Sequence, residues 1–129
     1  MALGFAPYAL AWAPVVGLGV MFALCSRARQ LREVLLLAYV FGLGYAGLGV
    51  YWIYYSIADY GGGPVAAAIA TTILVALFAL IPVAALALGW LVGRRHQWGM
   101  AVLSLSLAWI FVEWVRSWLL TGFPWLSLG

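Results

Sequence analysis

The sequence predicts an all-α protein, a polytopic bundle of about four membrane-spanning helices, and three observations carry that prediction. Of 129 residues, 68% are hydrophobic and 7% charged, which excludes a water-soluble globular domain. The few charges leave long uncharged runs, Met1 to Ser26, Val34 to Ala58 and Tyr60 to Gly93, each able to hold a span of roughly 20 residues. Five of the six basic residues sit in two short clusters, Arg27/Arg29/Arg32 and Arg94/Arg95, that flank apolar runs. Clusters so placed set membrane topology, and they account for the net charge of +3 better than a nucleic-acid partner does.

The first span is expected at 14–26, opened by Pro14 in the first helical turn after an interfacial stretch with Pro7, Tyr8 and Trp12. The second, at 34–57, carries Gly42, Gly44, Gly47 and Gly49 in its middle. Glycines at that density suit either a groove for a neighbouring helix or a lining for an acyl chain. Its end, with Tyr51, Trp52, Tyr54 and Tyr55, reads as an aromatic belt at headgroup level. A tight turn over Asp59 to Pro64 follows, where glycines are free to take positive φ. The third span, at 65–92, exceeds a hydrocarbon core of about 30 Å and is expected to kink at Pro82. The fourth runs over 98–120. Two spans separate the arginine loops, so both lie on one side, and the positive-inside rule makes that side cytoplasmic. The Asp59 to Pro64 turn and the C-terminal end are then periplasmic. An N-terminus outside and without a leader is awkward for insertion, and the last residues stop just after a turn; both ends are expected to continue.

The feature with first claim on function is Glu113 with Arg116, three apart and on one helical face. Charge inside a bilayer is tolerated only when paired or facing a polar cavity, and is a functional candidate for that reason. Two readings stay open, a structural lock between helices and a contact to substrate. With Trp52, Tyr55 and Trp125 at the same membrane face, the pair makes up a candidate substrate-binding rim. No catalytic residue and no metal ligand set is expected. Cys25, near the inner end of a helix, has no acid or base on the outer side for partner, and His96 lies in a basic loop on the opposite side from Glu113. No cofactor motif and no lysine is present.

Three runs add a resemblance. Phe5-Ala6-Pro7-Tyr8, then Gly47 to Ile57 followed by Gly61-Gly62-Gly63-Pro64, then Glu113-Trp114-Val115-Arg116-Ser117-Trp118-Leu119-Leu120-Thr121-Gly122-Phe123-Pro124-Trp125 occur in that order. Together the chain resembles the N-terminal membrane part of apolipoprotein N-acyltransferases, the last run being the most specific. The resemblance implies a bacterial inner-membrane protein of lipoprotein biosynthesis, with a phospholipid acyl donor, a lipoprotein acceptor and membrane lipids as partners. It also implies that acyl transfer to the N-terminal amine belongs to a nitrilase-like domain with a Glu, Lys and Cys triad, expected beyond Gly129. Neither Glu113 nor Cys25 matches that triad's motif, so this chain alone is expected to be inactive. A small four-helix exporter that cycles a proton on Glu113 is the alternative; pairing of Glu113 with Arg116 weighs against it.

Overall fold

The computed structural model describes residues Trp12–Leu119, and these are helical almost throughout. Six helices follow in order: α1 (Trp12–Arg27), α2 (Leu31–Val50), α3 (Trp52–Ile57), α4 (Gly63–Phe78), α5 (Leu80–Gly93) and α6 (Trp98–Leu119). They form four rods, because α2 continues into α3 across Tyr51 with helical dihedrals (φ −55°, ψ −30°), and α4 into α5 across Ala79 (φ −62°, ψ −19°). The expected spans at 14–26, 34–57 and 65–92, and the described part of 98–120, each fall on one rod. Leu31–Val50, Trp52–Gly93 with its internal turn, and Trp98–Trp118 are long and apolar enough to cross a membrane, while Val15–Arg27 is apolar but shorter.

Two sequence signals act where they were expected. The reversal between α3 and α4 turns on Gly61 (φ 105°) and Gly63 (φ 72°), values that a side chain disfavours. It brings α4 back along α3 and the end of α2. The rod of α4 and α5, roughly 46 Å end to end at 1.5 Å per residue, breaks at Ala79. Pro82 is the cause: it has no N–H to offer the Phe78 carbonyl, its partner four residues back. The α2 backbone closes on this break, since a Cβ added to Gly42 would stand 2.6 Å from the Ala79 oxygen.

The most extensive helix pair is α5 with α6. A Cβ at Gly89 would lie 2.6 Å from Leu105 Cα, and one at Gly93 would lie 2.9 Å from Ala101 Cα. One helical turn apart, the two glycines let the backbones touch, which is how membrane helices gain van der Waals attraction when lipid supplies no hydrophobic drive. Around this seam Met21, Cys25, Val34, Leu86, Trp90, Leu105 and Trp109 make the main core. The glycine run of α2 contributes less than expected, because added Cβ atoms at Gly44 and Gly47 would meet nothing within 4 Å.

The two arginine loops meet at one end of the bundle. Trp90 Nε1 donates to the Ala28 carbonyl at 3.1 Å, satisfying an acceptor just past the end of α1. The Arg94 guanidinium lies 5.4 Å from the centre of the same indole. Beside them the Glu33 carboxylate accepts from the backbone N–H of Arg29 (2.8 Å) and Gln30 (3.4 Å), closing the start of α2. With both loops at one end and the Asp59 to Pro64 turn at the other, a reporter active only in the periplasm is expected to work when fused after Gly62 and to fail after Arg95. The reverse pattern would overturn the assigned sidedness.

Candidate functional site at the aromatic end of the bundle

The end opposite the arginine loops gathers the polar and aromatic groups that the membrane interior disfavours. Along α6, successive turns after the buried Trp109 carry Glu113 and Arg116, at the i and i+3 positions that share a face. Arg116 Nη2 donates to Glu113 Oε2 at 2.6 Å, with 6% of the arginine side chain and 18% of the glutamate side chain exposed. Arg116 is the one charged residue buried among the described residues.

A third group completes the cluster. Tyr45 of α2 is buried with its phenol beside the Arg116 guanidinium and the Glu113 carboxylate. The pair along one helix is thereby tied to another helix. Tyr45 stacks on Phe41 (6.4 Å, 4° between planes), Phe41 meets the Trp109 edge at 6.4 Å, and Phe22 of α1 meets the same indole at 6.4 Å. One aromatic column thus joins α1, α2 and α6 beneath the charges. Sequence reading missed Tyr45. The signal was present: a phenol in the middle of an apolar, glycine-rich helix, away from the interface, needs a polar partner when buried.

The described rim residues belong to a different element. Trp52 and Tyr55 lie on α3, with 41% and 58% of their surface exposed. Tyr55 packs edge-on against Tyr51 (6.4 Å) and Tyr54 (5.4 Å). The three tyrosines, with Gly47, Thr71 and Thr72, line an open crevice of about 370 Å³ between α3 and α4. Thr71 Oγ1 is buried there without a hydrogen-bond partner among the described residues. Neither Glu113 nor Arg116 borders the crevice. On α6, Trp114 and Trp118 face outward, 57% and 74% exposed and 5.6 Å apart, extending the belt. Trp125, and with it the Thr121 to Trp125 run, lies outside the described residues.

With this geometry in place, comparison with known proteins decides the family. The sequence model of the apolipoprotein N-acyltransferase N-terminal domain matches residues 1–129. The chain belongs to the apolipoprotein N-acyltransferase family. It is similar to the apolipoprotein N-acyltransferase of Nitrosomonas europaea, 39% identical over 98% of this chain. Those of Methylococcus capsulatus (38% over 97%) and Vibrio cholerae (34% over 98%) are similar as well. The chain spans about 25% of the length of each of these relatives. No solved structure matches it. Within this family, then, the chain corresponds to the N-terminal, membrane-embedded part. Cys25 is fully buried in the core, its Sγ 3.8 Å from Met21 Sδ, and the sequence holds no lysine.

Proposed function

We propose that this chain is the membrane platform of an inner-membrane enzyme that moves an acyl chain from a phospholipid to the amine of a lipoprotein's N-terminal cysteine. Catalysis falls to a part of such an enzyme other than the N-terminal domain that residues 1–129 match. The match over residues 1–129 to the family's N-terminal domain carries the proposal. The geometry fits a platform on the periplasmic face. Trp52 and Tyr55 meet lipid headgroups at the rim, while Glu113, Arg116 and Tyr45 hold α2 and α6 in register beneath it.

Transfer through a thioester needs a thiolate nucleophile, a base and a cation for the oxyanion within hydrogen-bond reach. Cys25, sealed in the core, is closed to a substrate carbonyl. Mixed with phosphatidylethanolamine and a diacylated lipopeptide, the purified chain is expected to yield no triacylated product and no acyl adduct on Cys25. The same chain joined to the remainder of the Nitrosomonas europaea relative is expected to yield the product. A Cys25 adduct that disappears in Cys25→Ser, or a folded but inactive chimera, would overturn the proposal.

A further inference from the structure

A groove of about 700 Å³ opens between α1 and α2 at the arginine end, opposite the cluster of charges on α6. Its walls are Met21 and Leu24 of α1 and Leu36, Leu37, Val40 and Phe41 of α2, so it is apolar along its length. From Glu33 to Val40 the wall rises roughly 10 Å at 1.5 Å per residue, within a single leaflet of a core about 30 Å thick. The mouth is charged. Arg27 borders the groove directly, and Arg29 and Arg32 stand exposed on the adjoining loop and first turn. None of the three forms an ion pair among the described residues. The single acid at the mouth, Glu33, already accepts two backbone N–H groups at the start of α2. Three arginines against one glutamate leave a surplus of two positive charges beside an apolar slot.

We propose that this groove is a binding site for an anionic glycerophospholipid of the leaflet on the arginine side, its phosphate on Arg27 and one acyl chain along Leu24, Val40 and Phe41. The chemistry selects this occupant. A guanidinium is suited to a phosphate's oxygens, and basic residues beside membrane helices draw anionic lipids. A zwitterionic headgroup brings its own cation to a site already in surplus. A soluble anion leaves the apolar walls empty. The site lies at the other end of the bundle from the proposed acyl-transfer face and does not rest on that reading.

The test uses the purified protein in nanodiscs of equal phosphatidylglycerol and phosphatidylethanolamine, released and weighed by native mass spectrometry. Phosphatidylglycerol is expected to be retained in preference to phosphatidylethanolamine. Arg27→Gln is expected to lower its retention about fivefold, the effect of one basic residue at an anionic surface. Val40→Trp fills the slot without altering charge, and because Val40 is 67% exposed it leaves the core intact; it is expected to displace the same lipid. Arg95→Gln, at the same end but outside the groove, is expected to leave retention unchanged, and inorganic phosphate is expected not to compete. Equal retention of the two lipids, retention unaffected by Val40→Trp, or displacement by inorganic phosphate would overturn the proposal.

Discussion

Glu113→Gln is expected to be among the most damaging single substitutions in the protein. It leaves the Arg116 guanidinium, 6% exposed at the side chain, without its counter-charge, and arginine stays charged in proteins at any working pH. Breaking a buried ion pair by removing one partner costs roughly 3–5 kcal/mol. Residual exposure of Glu113 (18%) places the expected loss at the lower end, about 3 kcal/mol. Tyr45→Phe, which removes a phenol beside the same guanidinium, is expected to cost less, about 0.5–1.5 kcal/mol. The double change Glu113→Gln with Arg116→Gln removes both charges and is expected to recover part of the loss, since neutral replacements for a buried pair are often tolerated. Unfolding midpoints in mixed micelles measure all of these. Silent single substitutions would mean that the pair is a solvated contact of little worth.

The second large effect is expected at Gly89. Even the methyl of Gly89→Ala would stand 2.6 Å from Leu105 Cα and 3.0 Å from the Ser104 oxygen. Both atoms are backbone, so no rotamer change relieves the clash; α5 and α6 must separate along their closest seam. Overpacking of this kind costs about 1–3 kcal/mol, and Gly89→Val, with two more carbons in the same gap, is expected to exceed that range. Gly44→Ala is the matched control. Nothing lies within 4 Å of its new methyl, and alanine gains up to about 1 kcal/mol of helix propensity over glycine, so it is expected to be neutral or stabilising. If Gly89→Ala matched the parent protein in the same unfolding assay, the α5–α6 seam would not be as tight as described.

Features that depend on local chemistry were readable before the structure. The Gly61 and Gly63 turn, the break caused by Pro82 and the Glu113–Arg116 pair each follow from residues close in sequence, and the grouping of the arginine loops follows from counting the spans between them. What was not readable depends on which side of a helix meets another helix. In water that side is marked by apolar periodicity, but in lipid both sides are apolar. Leu48, Ile69 and Ile110 face outward (62%, 57% and 63% exposed) while Val34, Leu86 and Leu105 are buried, and no difference in residue type separates the two groups. The dense glycines of α2 therefore drew attention from the sparser Gly89 and Gly93, whose spacing of four does carry the packing signal. Tyr45 and Trp90 were missed for a related reason. Each finds its polar partner far along the chain, Trp90 at Ala28 and Tyr45 at Arg116.

The claim at the centre of this account is that the charges at the aromatic end hold the platform together and take no part in the chemistry. It is tested most directly in the chimera with the Nitrosomonas europaea relative, carrying Glu113→Gln and Arg116→Gln together, by measuring acyl transfer per folded molecule. The account predicts a lower folded yield with the rate per folded molecule within about twofold of the parent chimera. A participant in proton transfer contributes typically about 100-fold to 10,000-fold. A double variant that folds as well as the parent yet transfers at least 100-fold more slowly would contradict the account and place Glu113 or Arg116 in the reaction.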